Sequence, residues 1–561
     1  MTIKINGRSY SFNQGQTILD VAKENKIEIP TLCYLKELIE EGNCRICVVE
    51  LGNGKLVPAC ATKASDGMEV LTKSKKVVQS RKYTLKMLLS EHHKNCDSCP
   101  KNGNCSLQTL FEKDGITEEN NENKPQKQFD ETSPCIVRNN TKCVLCGRCI
   151  KICEKTQTCS ALTKINRGYE TYVGCSLDAG LKNSTCVGCG QCTLVCPTAA
   201  LMEKDSISEV QAVLDNPEFE VYAQVAPSVR VSLAEAFGEK IGTFDEGRMV
   251  AALKKLGFDK VFDINLGADF TVVEESKELL ERIKQNKNLP QFSSCCPAWF
   301  KFVQNFYPDN VDMLSTCKSP TEMLGAIVKN YYSKKEHIDR AKIKVIGIMP
   351  CTAKKGEKER GKDVDYVLTT REVAKMIKAK KLDYINLPEK KFDSPLSYYS
   401  GAGLIFGATG GVTEAVLRNV MAEIDDKKID FEEVRKSDGR KEVKVKCGET
   451  ELELCVVNGL GNARKVMNDI VSGKKHYHFV EVMACPGGCV NGGGQNYVDY
   501  SKVDIEDVKK LRANSIYEHD KKTKDRVSSK NLTVQQIYRD FFIPTPELAE
   551  QLLHHHKNKK N

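Results

Sequence analysis

Lys344–Ile348 runs directly into Met349-Pro350-Cys351-Thr352-Ala353-Lys354-Lys355-Gly356-Glu357. In the same way His478–Val482 runs into Met483-Ala484-Cys485-Pro486-Gly487-Gly488-Cys489 and on through Gly492-Gly493-Gly494-Gln495. Each opening run is short, apolar and rich in β-branched residues, and each is broken by proline, so both read as buried strands with a cysteine at the C-terminal end. Phe219–Val225, Val261–Asn265 and Val367–Thr369 read as further strands, with helical patterns such as Glu274–Lys284 and Pro320–Ser333 between them. That alternation predicts a large α/β domain with a mainly parallel sheet over residues 210–498. In such sheets ligands bind outside the carboxyl ends of the strands. A third cysteine motif, Ser293-Ser294-Cys295-Cys296-Pro297-Ala298-Trp299, lies between the other strands. Four of the five cysteines could hold one metal cluster and leave one over, and the glycines would let backbone approach a bulky cofactor closely. The residues alone stop at an additional metal site, with buried structural cysteines as the plainer alternative.

Toward the N-terminus, Ile3 and Ile5 alternate with polar residues and meet Tyr10 and Phe12 across Asn6-Gly7, a hairpin signal. Thr17 caps a helix that begins Ile18, Val21, Ala22, and a second hairpin pairs Val48–Leu51 with Leu56–Val57 across Gly52-Asn53-Gly54. Residues 1–78 therefore read as a small α+β module of β-grasp, ferredoxin-like type. On its loops lies Cys33-x10-Cys44-x2-Cys47-x12-Cys60, a close pair with one distant ligand on each side, which suits a 2Fe–2S cluster, with structural zinc as the alternative. Residues 79–118 carry His92-x3-Cys96-x2-Cys99-x5-Cys105. One histidine with three cysteines suits zinc by composition, and His93 competes with His92 as the ligand.

Residues 133–205 hold the clearest pattern, Cys143-x2-Cys146-x2-Cys149-x3-Cys153 followed by Cys186-x2-Cys189-x2-Cys192-x3-Cys196-Pro197. Two-residue gaps let three thiolates converge on one cubane, and the fourth cysteine of each run reaches the other cluster. One 4Fe–4S cluster is thereby assigned to Cys143, Cys146, Cys149 and Cys196, the other to Cys153, Cys186, Cys189 and Cys192. Two zinc sites are the alternative. The stretch Cys135–Met202 has little core of its own and needs metal to hold it together. Asp114–Glu131, rich in Glu, Asn, Lys and Gln, reads as a linker. A helical segment over residues 499–561 ends in His554–His556 and the basic tail Lys557–Lys560, read as a solvated terminus with weak metal binding at most.

The 561 residues contain 26 cysteines, eighteen of them before residue 200. Reducing compartments keep thiols free, so spaced sets of this density favour metal over disulfides. No run of eighteen apolar residues and no basic-then-apolar leader is present, so the reading is a cytoplasmic protein without a membrane partner. The net charge of +9 reads as a lysine-rich surface or a preference for an acidic partner; nothing in the residues points to nucleic acid.

The three α/β motifs resemble the signature of the iron–iron (FeFe) hydrogenases, and the resemblance extends along the whole chain to the clostridial, ferredoxin-linked multi-cluster form. It implies that Cys296, Cys351, Cys485 and Cys489 hold the 4Fe–4S part of the H-cluster. Cys489 would bridge to a diiron subsite carrying CO, cyanide and azadithiolate, installed by maturation proteins. The resemblance makes the set of His92, Cys96, Cys99 and Cys105 a third accessory 4Fe–4S site beside the single 2Fe–2S cluster. It also implies a proton relay from Cys295 to Glu278, Ser315 and Glu275 in that order, with a water between Cys295 and Glu278. Lys354 would donate to a cyanide, and replacement of its neighbour Lys355 is expected to matter much less. Ala226, Pro227, Ser228, Pro320, Met349 and Met483 would line the cofactor pocket. The implied activity is ferredoxin hydrogenase, 2H+ + 2e− ⇌ H2, with ferredoxin or flavodoxin as partner; the alternative is an H2-handling subunit of an electron-bifurcating complex. An electron-input subunit of an NADH-linked complex would lack the three motifs. An iron–sulfur assembly factor would lack the residues Cys295, Met349, Lys354 and Glu357, and an H2 sensor would carry a signalling domain. Ser293, Thr321, Gly356, Asn496 and Cys317 depart from the family pattern without removing a ligand or relay group.

Overall fold

Thr2–Ile5 pairs antiparallel with Arg8–Ser11 around Asn6 and Gly7, both at positive φ, as the hairpin signal predicts. The capping box on Thr17 and Asp20 opens the helix Ile18–Glu24, whose Ile18, Leu19, Val21 and Ala22 are buried. The hairpin Val48–Leu51/Leu56–Pro58 also forms. The strand at the middle of this sheet, Met68–Leu71, was not anticipated. It runs parallel to Thr2–Ile5 and antiparallel to Val48–Leu51, and so joins the two hairpins into five strands. Its alternation is weak because only Val70 is fully buried.

The computed structural model describes residues 1–36, 38–116, 128–357, 361–424, 432–435, 439–447, 450–499 and 503–555. It divides into two units, Met1–Thr156 with Ser160–Ser184 and Gln191–Met202, and Gln157–Cys159 with Thr185–Gly190 and Glu203–Asn561. After the five-stranded sheet the first unit continues with the helix Lys75–Glu91, capped by Ser74, and the short helix Ser106–Lys113. The expected linker lies largely outside the described residues, which resume at 128 with Phe129–Asp130 pairing against Ile136–Asn139. The tandem cysteine stretch has only short elements, such as Arg148–Lys151 and Gln191–Val195.

The second unit holds two four-stranded sheets. In one, Lys260–Asp263, Glu220–Val225, Ile343–Met349 and Tyr366–Thr369 lie side by side, all parallel. In the other, Gln291–Phe292, Phe479–Met483 and Thr450–Asn458 are parallel, and Arg440–Cys447 adds an antiparallel edge. The expected strand Val261–Asn265 is cut short because Asp263 caps the helix Ile264–Gln285 through the Asn265 N–H. That helix starts a full ten residues before the predicted Glu274 because its first three turns are buried on every side and show no amphipathic period. The helix Pro320–Ile327 passes into a wider π turn, Val328–Tyr332. Three helices, Ile505–Lys522, Leu532–Ile537 and Glu547–Leu553, make up the C-terminal segment. Among the described residues no helix is long and apolar enough to cross a membrane.

Candidate active site and cluster sites

In the second unit the sheet topology brings together four cysteines from three motifs. Cys351 follows the strand Ile343–Met349, and Cys485 follows Phe479–Met483. Cys296 stands at the N-terminus of the helix Pro297–Phe306, and Cys489 opens the turn Cys489–Asn491. Burial raises all four thiols, Cys351 to about 12, and each of three is raised further by the others: Cys351 by Cys296, Cys485 by Cys351, Cys296 and Cys489, and Cys489 by Cys351 and Cys296. Cys296, Cys351 and Cys489 keep some accessible surface although protein surrounds them on all sides, as side chains lining an interior cavity do. Cys296, Cys351, Cys485 and Cys489 form no disulfide. Four converging soft donors with no disulfide among them fit a 4Fe–4S cubane, whose iron would draw these thiols into the thiolate form.

The glycines of the third motif also admit protein backbone. A side chain at Gly492 would clash with the Pro350 carbonyl, and one at Gly493 with the Cys189 carbonyl. Cys189 is close enough to Cys485 to raise it, and Gln157 reaches both neighbourhoods, its amide 2.9 Å from the Ala484 carbonyl and 3.6 Å from the Cys189 sulfur.

Around this site the relay candidates do assemble, but in a different order. Ser315 Oγ donates to Glu278 Oε2 at 2.7 Å and lies near enough to Glu275 to lower that carboxyl somewhat against its burial. Glu275, fully buried, is the carboxyl near Cys295, whereas Glu278 is held by Arg282 at 2.7 Å and retains some exposure. The expected sequence of stations is therefore reversed, with Glu275 inner and Glu278 outer. Helical spacing puts both carboxylates on one face but cannot say which end faces the core. Burial, with the Glu278 charge adding, lifts Glu275 to about 8, and its Oε2 has no hydrogen-bond partner. Burial also pushes the Cys295 thiol well up, with Glu275, Cys296 and Cys489 adding to it.

Lys354 is buried and bonds both oxygens of Glu357 at 2.7 Å. Burial would lower its ammonium, but Glu357 and Glu322 more than reverse this and keep it charged. Lys355 is buried too, 2.9 Å from Glu372 and 2.8 Å from the Val367 carbonyl. Ala226, Pro227 and Ser228 follow the strand Glu220–Val225, Met349 and Met483 end their strands, and Pro320 begins its helix; all six are buried. Two departures from the pattern have visible roles: Asn496 donates to the Ser232 carbonyl at 2.6 Å, and Ser293 Oγ accepts from the Val482 N–H at 3.2 Å.

The first unit gathers three sets of its own. Cys47 and Cys60 sulfurs lie 3.3 Å apart, and Cys33 hydrogen-bonds Cys44, which draws Cys44 down to about 7. Cys143, Cys146, Cys149 and Cys196 line one cavity. His92, Cys96, Cys99 and Cys105 line another, while His93 is not on its wall and donates its backbone N–H to the Thr141 carbonyl. Of the remaining set, Cys153 and Cys192 belong to the first unit and Cys186 and Cys189 to the second.

Residues 219–493 match the iron only hydrogenase large subunit, C-terminal domain. The flanking matches are a 2Fe-2S iron-sulfur cluster binding domain (1–75), the NADH-ubiquinone oxidoreductase-G iron-sulfur binding region (81–120), a 4Fe-4S binding domain (182–202) and the iron hydrogenase small subunit (506–559). Iron hydrogenase 1 of Clostridium pasteurianum is 39% identical over 99% of this chain and 99% of its own length. This chain belongs to the FeFe hydrogenases. The NADP-reducing hydrogenase subunit HndD of Solidesulfovibrio fructosivorans is 44% identical over 100% of this chain and 99% of that protein. A solved apo FeFe-hydrogenase from Chlamydomonas reinhardtii is 34% identical, with a TM-score of 0.56, and covers 63% of this chain and 98% of that one. The chain is accordingly a hydrogenase-type oxidoreductase with 2Fe–2S, 4Fe–4S and H-cluster domains.

The hydrogenase site also depends on Arg371, which no motif singled out, and on Glu481, in the strand that leads into the third motif. Arg371 bonds Glu203 at 2.7 Å and the carbonyls of Gly493 and Gln495 at 2.7 and 2.6 Å, fixing the glycine run. Glu481 accepts from the Gly410 and Thr413 N–H groups at 2.7 and 2.8 Å, at the start of the helix Gly411–Ile424. Arg282 was legible as an i,i+4 partner of Glu278, whereas the long-range contacts of Arg371 and Glu481 were not. The terminal histidines are not a solvated tail either: His554 is buried, His555 lies 3.3 Å from Glu322, and 556–561 fall outside the described residues.

Proposed function

We propose that this hydrogenase catalyses the reversible reduction of protons to H2, with a thiol–carboxyl–hydroxyl–carboxyl route carrying the protons. The observation that carries the reading is the Ser315 hydroxyl bonded to Glu278 and close to the buried Glu275, with that inner carboxyl beside the non-ligand thiol Cys295. Cys296, Cys351, Cys485 and Cys489 would hold the cubane of the H-cluster, and Cys489 would bridge to the diiron subsite. When bound, that cofactor supplies the iron and amine at which protons and electrons combine, with CO and cyanide as its small ligands. Lys354, kept charged by Glu357, would hold a cyanide by a charge-assisted hydrogen bond in a water-poor pocket. Cys295 carries a proton as a neutral thiol and exchanges it with Glu275. Ser315 passes it between the carboxyls by rotating its hydroxyl, and Glu278 exchanges with solvent beside Arg282. Buried Ala226, Pro227, Ser228, Pro320, Met349 and Met483 exclude water.

Electrons would travel through one 2Fe–2S and three accessory 4Fe–4S clusters on the cysteine sets and His92, within segments at 1–78, 79–118 and 133–205, to the catalytic segment at 210–498, which is followed by the small-subunit-like segment at 499–561. The nearness of Cys189 to Cys485 supports the final step. Ferredoxin or flavodoxin is the first reading for the electron partner. The likeness to an NADP-reducing hydrogenase subunit favours a second, in which partner subunits couple H2 to a pyridine nucleotide. Protein matured with the hydrogenase maturation proteins should show CO and cyanide infrared bands and evolve H2 from reduced dye. A lack of both would overturn the reading. Assay of the protein alone, with reduced ferredoxin and then with NADPH, decides the partner: turnover with ferredoxin supports the first, and turnover only after addition of native subunits supports the second.

A further inference from the structure

We infer that His554, near the C-terminal end of the described chain, is a positioning residue for the outer half of the proton route. The inference rests on the relay proposed above. The backbone from Leu553 to His555 pairs antiparallel with Thr316–Lys318: Lys318 N–H donates to the Leu553 carbonyl and His555 N–H to the Thr316 carbonyl, both at 2.8 Å. Leu553 is fully buried and anchors this short pairing in the core. His554 projects from it between two elements. Its Nδ1 lies 2.9 Å from Thr316 Oγ1 and its Nε2 lies 3.1 Å from Glu274 Oε2.

The segment so clamped is the one that addresses Glu278. Thr316 N–H donates to Glu278 Oε2 at 3.0 Å, the Cys317 sulfur lies 3.8 Å from the same oxygen, and Ser315 Oγ, which donates to it, accepts from the Cys317 N–H at 3.2 Å. Three consecutive residues thus set the position of one carboxylate, and His554 sets the position of the middle one. On its other side His554 meets a fixed support. Glu274 accepts from Lys277 at 2.8 Å and from the Tyr538 hydroxyl as well, and despite burial these bonds with His554 bring it down to about 2. The groups facing the imidazole are therefore Glu274, Glu278, Glu550, Thr316 and Cys317, three of them carboxylates, and the pair with Glu274 holds its value above the ordinary one against burial. A hydroxyl that must pass a proton from one carboxyl to another tolerates little drift, because misplacement by about 1 Å can cost on the order of a hundredfold in rate.

The test separates this role from plain anchoring of the chain end. His554→Asn keeps a polar atom near Nδ1 and so the bond to Thr316, whereas His554→Gln reaches Glu274 and loses Thr316. In matured full-length protein, His554→Ala, His554→Gln and Thr316→Val should each lower H2 evolution by roughly tenfold. His554→Asn should stay close to the parent, and His554→Ala with Thr316→Val should be no worse than either alone. The infrared carboxyl band of Glu278, identified by its loss in Glu278→Gln, should shift in the slow variants and not in His554→Asn. The inference is overturned if His554→Ala or Thr316→Val keeps parental turnover and band, or if Gln restores turnover and Asn does not. Should His554→Ala fail to fold, Thr316→Val and the Asn–Gln contrast decide alone. Cys295→Ala run beside them separates the two readings: full turnover there would end the relay itself, whereas its loss together with normal His554 variants would end only the positioning role.

Discussion

The tandem cysteine stretch of the first unit and the cysteine site of the second hold their thiols by different means. Around Cys143–Cys196 the elements are three to five residues long, and polar ties such as Arg138 to the Val173 carbonyl at 2.5 Å and to Asp130 at 3.5 Å do much of the fastening. Around Cys351 and Cys485 the thiols stand at the ends of buried strands, over a core that includes Val225, Ile346, Ile348 and Val480. Where ligands sit on loops with little beneath them, metal is part of the structure; where they sit on sheet ends, the protein keeps the site's shape itself.

Stripping the iron with chelator and reductant is the strongest way to break this contrast. Amide exchange should speed up across residues 133–202, while 220–225, 343–349 and 479–483 keep their protection; equal loss in both would erase the distinction. Next in size, Cys295→Ala should lower turnover by roughly a thousandfold with iron content unchanged, because in the proposed route its thiol carries a proton and no cluster. Lys355→Ala should cost about 3–5 kcal/mol in urea unfolding, because it strands the buried Glu372 carboxylate. An unchanged unfolding midpoint would mean that this pair is not part of the scaffold.

A smaller effect follows from Glu275, held at about 8 against an ordinary 4.5. The folded protein binds that proton more tightly than the unfolded chain does, so the stability Glu275 contributes is complete below the unfolded value and is lost as pH rises through about 8. Glu275→Gln should therefore gain on the parent by roughly 1–3 kcal/mol between pH 5 and 9 while losing activity. Parallel stability curves would show that Glu275 is ionised at neutral pH. The smallest contrast lies within the first unit. His92→Ala should alter one cluster's paramagnetic resonance, whereas His93→Ala, off the cavity wall, should leave every signal in place.

What the sequence determined by itself is whatever local spacing can encode. Two-residue gaps between cysteines bring thiols onto one loop, Asn6-Gly7 makes a hairpin, and strand-then-cysteine puts Cys351 and Cys485 at a sheet edge. The residues alone left His92 and His93 open, and the fold puts His92 on the cavity wall with the three cysteines, because neighbouring residues of one loop can point to opposite sides. So did the order of Glu275 and Glu278, which share a helical face but differ in depth, and the partner of Lys355, which lies on a separate helix. The role of His554 was the least legible of all. Its meaning comes from a strand pairing 238 residues away in sequence from Thr316, and only tertiary packing puts a chain end beside a proton route.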